Sequence, residues 1–319
     1  MRWVTAAILM AAFGVTGAKA AELNCTQVRL ITPYPAGGAT DVASRLIAER
    51  LEPALKKPII VENRAGATGN IGTVAAVTSP ADGCTLLNNA AVIATFPTSF
   101  SKLGYDPIND LIPVGGIGIT PTLLVTASAN PVNDLKGLIE WSKTKPDGLN
   151  FSTAGYGLQQ HLAVEEIGAR TGGKFTHVAY RGGAQAVTDL ISGRVDLGSF
   201  AAGSVLPLVK EGKLKALAVV SEKRSELVPD VPTTTEQGMP GLNAGVHFMI
   251  YVPAKTPKDI VDLLSAELKK IVGDPAMKQR FINIGYDPTP STSADMVAVM
   301  KKTGEDWSPL VKRLNIKLD

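Results

Sequence analysis

The chain has 319 residues, with 32 Lys and Arg against 29 Asp and Glu, 5% aromatic residues and two cysteines. A balance this close to neutral argues against a nucleic-acid partner, which needs a clustered basic face. The length is at the size where a single hydrophobic core stops growing, so two lobes are expected.

The N-terminus sets Arg2 before an apolar run from Trp3 to Val15 and then Ala18-Lys19-Ala20. This is the layout of a secretory signal peptide over residues 1–20, cleaved after Ala20, with a buried helix or membrane anchor as the alternative. Cleavage leaves 299 residues and takes Arg2 and Lys19 with it, so 30 basic residues face 29 acidic ones. The longest uncharged run, Leu111 to Asn133, carries Pro113, Pro121 and Pro131. Such a run suits strands and loops rather than a membrane helix, so the protein is expected to be exported and soluble.

Val28 to Pro33 is β-branched and predicts a strand. The following helix places Val42, Leu46, Ile47, Leu51, Ala54 and Leu55 on one face and Arg45, Glu49 and Glu52 on the other. Pro58 to Val61 predicts a strand, "NIGTVAAV" a short helix, and Cys84 to Leu87 a third strand. Cys25 and Cys84 thus precede or open two strands, and an even cysteine count in an exported chain favours a disulfide. Adjacent parallel strands would bring their N-terminal ends within bridging range; two buried thiols are the alternative.

Beyond residue 131 the alternation resumes: helix Leu135 to Lys145, strand "LNFST", helix Leu158 to Arg170, strand "FTHVAY", helix Ala184 to Ser192, strand "RVDLGSF", helix Val205 to Glu211 and strand "LKALAVVS". The strand "VHFMIYVP" follows, then helices from Pro257 to Val272, Pro275 to Ile284 and Ser293 to Asn315. Strands alternating with helices define an α/β fold, here with two lobes that are each a mainly parallel sheet flanked by helices. Residues 21–124 and 245–319 are expected to form lobe 1, including the three C-terminal helices, and residues 125–244 an inserted lobe 2. Ligands in such architectures sit between lobes, outside the C-terminal ends of strands.

Three places repeat a strand, a glycine-containing loop and a helix opening: "ITPYPAGGATD" (31–41), "FSTAGYGLQQHL" (151–162) and "VAYRGGAQAV" (178–187). The first amides of a helix lack intrahelical partners and its dipole is positive there, so each loop favours a carboxylate or phosphate without any fixed cation. Tight βα turns use glycine for geometry alone; convergence from two lobes is what favours binding. Asp41 competes for the first dipole, and an anion near Gly37 and Gly38 requires it to turn aside or be held by its own hydrogen bonds. Tyr34, Tyr156, Tyr180, Phe200, His247 and Phe248 stand at strand ends or loops and are candidate pocket walls.

Enzyme motifs fail. "GARTGGKF" (168–175) ends in Phe where a phosphate loop needs Ser or Thr, and "GYGLQQ" lacks the third glycine of a dinucleotide fingerprint. His161, His177 and His247 have no metal-ligand spacing, there is no G-x-S-x-G elbow, and neither cysteine has a catalytic setting. No cofactor, metal or catalytic residue is expected.

The segments "RLITPYPAGGATDVASRLIAERL", "VENRAGATGNIG", "ADGCTLL", "YDPINDLIPV", "HVAYRGGAQAVTDLISGRVDL", "GKLKALAVVSEKRSELVPDVPTTTEQGMPG" and "PAKTPKDIV", in this order, resemble the Bordetella uptake gene family. These are extracytoplasmic solute-binding proteins of tripartite tricarboxylate transporters. The resemblance covers about residues 27–319 and implies a two-lobed Venus-flytrap receptor in the periplasm. It captures a small carboxylate and presents it to two membrane permease subunits, and is expected to act as a monomer. By that resemblance the carboxylate is held, partly through water, by Tyr34, Pro35, Ala36, Gly37, Gly38, Ala39 and Thr40 from one lobe. From the other it is held by Thr153, Ala154, Gly155, Tyr156, Gly157, Leu158, Gln159 and Gln160. The third loop adds Tyr180, Arg181 and Gly182, and the pocket walls add Phe200, His247 and Phe248.

Three positions depart from the family's pattern: Phe200 where Asp is common, His247 for a frequent Trp, and Cys84 for Tyr. The first implies a more apolar distal pocket, suited to an aliphatic or aromatic mono- or dicarboxylate. A ligand-binding component of a membrane sensor is the alternative function.

Overall fold

A computed structural model describes residues 22–180 and 183–318; the expected signal peptide, Arg181 and Gly182 lie outside them. The first part of the chain gives β1 (Val28–Thr32), α1 (Ala39–Leu55), β2 (Ile59–Asn63), α2 (Asn70–Val77), β3 (Thr85–Ala90), α3 (Phe96–Ser99) and β4 (Leu111–Thr120). The middle gives β5 (Thr122–Ala127), α4 (Leu135–Thr144), β6 (Leu149–Thr153), α5 (Gln159–Thr171), β7 (Phe175–Ala179), α6 (Gly183–Ile191), β8 (Leu197–Ala201), α7 (Ala202–Lys210) and β9 (Leu214–Val219). The last part gives β10 (Val246–Pro253), α8 (Lys258–Gly273), α9 (Pro275–Asn283), β11 (Asp287–Pro288) and α10 (Ser293–Arg313).

Two sheets result, ordered β11-β4-β10-β3-β1-β2 and β7-β6-β8-β5-β9. Both are mixed sheets in which most strands run the same way. β1 pairs in parallel with β2 and β3, and β6 with β7 and β8. β10 is antiparallel to β3 and β4, and β5 to β8 and β9. The chain leaves the first sheet at the end of β4 and enters the second at Thr122, one residue past Pro121. A strand that enters a lobe from its neighbour starts at the shared edge and must run away from it, against the βα strands, which run toward it. β5 in one lobe and β10 in the other are those strands. The sheet change at Pro121 falls three residues before the expected end of lobe 1 at residue 124.

Cys25 and Cys84 form a disulfide with Cα atoms 6.3 Å apart. They stand just before β1 and β3, which are adjacent and parallel, so the bridge ties the outer ends of two neighbouring strands and leaves the opposite ends free for ligand loops.

The C-terminal helices divide between the lobes. α8 and α9 bury Ile260, Leu264, Leu268, Met277 and Phe281 in the core that also holds Val28, Leu30 and Ile47. α10 starts the same way, placing Met296 and Met300 with Leu87 and Tyr251. Its second half instead places Trp307, Leu310 and Val311 with Phe151, Leu162 and Ile167 of the inserted lobe. The expectation that all three pack on lobe 1 is corrected for α10: at about 1.5 Å rise per residue its 21 residues span roughly 30 Å, enough to reach both cores.

Candidate functional site

β1, β3 and β4 end, and β10 begins, at one edge of the first sheet; β6, β7 and β8 end, and β5 begins, at the matching edge of the second. The loops 33–38 and 154–158 therefore open on the two sides of the crossing at Pro121. They have the same build. Gly37 and Gly157 take positive φ, 84° and 75°, where a β-carbon is strained. Gly38 and Leu158 follow as extended N-cap residues with φ/ψ of −74/164° and −70/158°, and neither α1 nor α5 has a side-chain cap hydrogen bond. α4, α9 and α10 are capped by Asp134, Asp274 and Thr292, while α2, α3, α7 and α8 share the lack of a side-chain cap. A helix start without a side-chain cap leaves backbone dipoles that favour an anion.

Asp41 is settled by its own hydrogen bonds. Its Oδ2 accepts from the Gly37 amide at 2.9 Å and from Arg45 Nε at 3.1 Å, and its Oδ1 from Asn63 Nδ2 at 3.0 Å. Burial pushes its carboxyl up, but the bonds from Arg45, Gly37 and Asn63 outweigh this and hold it below the usual aspartate value. Asp41 thus braces the loop from beneath as a carboxylate, while Pro35 to Ala39 stay exposed and Thr40 half-buried. Asn63 also donates to the Tyr34 carbonyl at 3.1 Å, and the Tyr34 hydroxyl donates to Asn89 Oδ1 at 3.1 Å. Burial pushes that hydroxyl up to about 12, so it remains a donor.

In the second loop Gly157 N donates to His161 Nδ1 at 3.1 Å, the counterpart of Gly37 and Asp41 at the same i, i+4 spacing. Thr153 Oγ1 meets His177 Nε2 at 2.8 Å and donates to the Gly155 carbonyl at 2.9 Å. Tyr156 is exposed, its ring centroid 4.9 Å from that of His161. Ala154, Gly155 and Leu158 are half-buried, and Thr153, Gly157, Gln159 and Gln160 are buried. Buried Asn88 Oδ1, Thr120 Oγ1 and Ser199 Oγ have no protein partner among the described residues. They belong to β3, the end of β4 and β8.

The remaining predicted positions separate from the loops. Phe200 is corrected: it is 1% exposed and packs with Leu123, Ala186 and Leu190 in a core of the inserted lobe. Its ring lies over Gly198 of the same strand, filling the space a side chain there would take, so the apolar distal wall assigned to it has no basis. Tyr180 is half-buried, with its hydroxyl donating to Asp189 Oδ2 at 2.8 Å. Phe248 is buried against Tyr286, ring centroids 5.3 Å apart.

His247 lines a cavity of about 630 Å³ with Gln159, Gly241, Leu242, Asn243, Gly245 and α10. None of residues 34–40 lines it, and of its charged groups Glu166 pairs with Arg170 and Arg313, and Lys302 with Asp306, with Glu222 also in the wall. It adjoins the loops through Gln159 and offers no uncapped helix end facing a second one. Asn63, Asn89, His161 and His177 were not singled out from sequence as site residues. For His161 a signal existed, since G-x-x-x-H repeats the spacing of G-x-x-x-D. Among the described residues no group of His, Cys, Asp and Glu could hold a metal ion.

Residues 43–316 match the family described as "Tripartite tricarboxylate transporter family receptor". Protein BugT of Bordetella pertussis is 33% identical over 293 residues, covering 91% of this chain and 90% of that protein. Among solved structures, an R. palustris protein with adipate (Rpa4515) has a TM-score of 0.83 at 31% identity, covering 91% of this chain and 98% of that one. MatC from Rhodopseudomonas palustris with bound malate has a TM-score of 0.78 at 28% identity, covering 89% and 98%. Periplasmic binding protein BugD has a TM-score of 0.79 at 30% identity, covering 91% and 98%. With the family matched over most of its length and the two-lobed fold shared throughout, the chain belongs to the tripartite tricarboxylate transporter receptors, solute-binding proteins rather than enzymes.

Proposed function

We propose that this receptor captures a small aliphatic carboxylate, with dicarboxylates of the size of malate and adipate foremost, between the loops 34–40 and 153–160. It then presents that ligand to the membrane permease subunits of a tripartite transporter. The observation that carries the reading is the pair of matching, side-chain-uncapped helix starts on opposite lobes, with no Lys or Arg in either loop. Backbone dipoles and bridging water hold a carboxylate reversibly, whereas a buried guanidinium would add a bidentate, charge-assisted bond that release must break. Adipate and malate in two related structures support the ligand class. The two strand crossings, at Pro121 and before β10, serve as the hinge, and one chain carries both halves of the clamp. Export through residues 1–20 places it in the periplasm.

A thermal-shift panel of aliphatic dicarboxylates, monocarboxylates, amino acids and sugar phosphates tests the proposal. A ligand at 100 times its dissociation constant adds about 2.7 kcal/mol of stability, so the binding dicarboxylate raises the transition by several degrees. Shifts with amino acids or phosphates and none with carboxylates would sink it.

A further inference from the structure

We infer that Asp287, which belongs to neither ligand loop, is a brake on lobe closure: its carboxylate gives up water where the lobes meet and finds a partner there for only one of its two oxygens. The inference rests on the reading that the ligand is captured by closure of the two lobes.

Two pieces of chain meet beside the crossing at Pro121. From lobe 1 comes the turn between α9 and β11, and β11 pairs with the last residues of β4, Asp287 opposite Ile119. From the inserted lobe come the start of α7 and the segment 225–228 that follows β9. Ile282 at the end of α9 packs on the core that holds Leu227 and Val228. Gly203 of α7 lies so near the Ile284 carbonyl that a β-carbon there would strike it. Within this contact Ser225 Oγ donates to Asp287 Oδ2 at 2.7 Å. Ser225 is buried and its oxygen accepts from the Leu227 amide at 3.1 Å, so its one proton is committed to Asp287. Oδ1 of Asp287 is buried and has no partner among the described residues.

A carboxylate accepts at both oxygens, and burying one of them unmatched costs the hydration it had. The charges nearby do not make this good. Glu226 of the same segment repels the carboxylate and Lys278 of α9 attracts it, and these two pair with each other at 2.8 Å. β4 and α7 bring only Gly118, Ile119 and Gly203. His247 stands in the same row of the sheet beyond Ile119, and burial holds its imidazole below the usual value, hence neutral. For Asp287 burial is the largest influence, and it holds the carboxyl above the usual aspartate value in spite of the bond from Ser225.

Part of that burial is supplied by the other lobe, so the cost falls on closing. With the lobes apart Asp287 regains water and its ordinary value, so closing favours the protonated acid. The brake is full above the closed-state value, weakens as pH falls through it, and is gone below about pH 4, the ordinary aspartate value of the open form.

Calorimetry of adipate binding compares the full mature chain with Asp287→Asn, which keeps an acceptor for Ser225 and never carries the charge. At about pH 7.5 the variant is expected to bind about tenfold more tightly. The gap narrows on acidification toward about pH 5, and adipate's own ionisation is common to both proteins. Asp287→Ser, a smaller neutral group, serves if Asp287→Asn does not fold. Without ligand, the Asp287 carboxyl followed by NMR titrates above the usual aspartate value in the native chain. It returns toward that value in Gly203→Ala, whose added β-carbon parts the lobes at Ile284. A neutral variant that binds adipate no better than the native chain at neutral pH overturns the inference, as does a carboxyl unmoved by Gly203→Ala. If the carboxyl responds to Gly203→Ala but neither protein binds adipate, the brake stands and adipate is the wrong ligand.

Discussion

Asp41 carries three hydrogen bonds that together fix the first ligand loop, from Gly37, Arg45 and Asn63. Asp41→Asn keeps one acceptor oxygen but removes the charge that Arg45 pairs with, and about 2 kcal/mol of stability is expected to go with it. The sign of its pH dependence follows from the lowered folded-state value. The difference between native and variant is full above about pH 4, the ordinary aspartate value, and vanishes as pH falls through the lower value of the folded protein. Urea unfolding of both proteins at neutral and acid pH measures it; equal stability at neutral pH would show that Asp41 braces nothing. Glycine φ at 37 and 157 was foreseeable from the turn-forming sequence. The burial of Phe200 was not, because strand alternation gives two faces without saying which one meets the core.

Among the elements, the disulfide and α10 tie distant parts of the chain. Cys25 and Cys84 are 59 residues apart, a loop whose closure is worth about 4 kcal/mol in the chain-entropy account. Reduction, or the double change Cys25→Ser and Cys84→Ser, is expected to lower the melting temperature by that loss of stability while leaving the ligand loops at the opposite strand ends competent. Calorimetry with and without reductant reads both. An unchanged melting temperature would mean the bridge adds no stability. Trp307→Ala in α10 removes a nearly buried ring from the core of the lobe that α10 does not start in. It is expected to cost about 3 kcal/mol, seen as earlier loss of hydrogen-exchange protection in β6 and α5 than in β1 and α1. The amphipathic spacing of α10 was legible, but not its partner, because a helix face does not name the core that will cover it.

For the whole molecule, closure depends on how near the lobes can come. Gly285, at φ 84°, lies so close to Gly203 at the start of α7 that a β-carbon on either would strike the other's backbone or that of Ile284. Ser225 Oγ donates to Asp287 Oδ2 at 2.7 Å beside this contact. Gly285→Ala is expected to hold the lobes apart, raising the radius of gyration in X-ray scattering and weakening carboxylate binding by about tenfold or more. An unchanged scattering curve would show that the contact does not limit closure.

The sequence by itself determined the α/β alternation, the glycine turns before α1 and α5, the cysteine pair at the start of two strands, and the resemblance that named the receptor family. These are local or colinear signals, fixed by backbone preference and residue order. Only the tertiary structure decided that both sheets are mixed, that α10 serves both lobes, that Phe200 belongs to a core, and that His161 stands under Gly157 as Asp41 stands under Gly37. Each of these depends on which surfaces meet after the chain has crossed between lobes, and contacts between residues far apart in sequence leave no periodic mark along it.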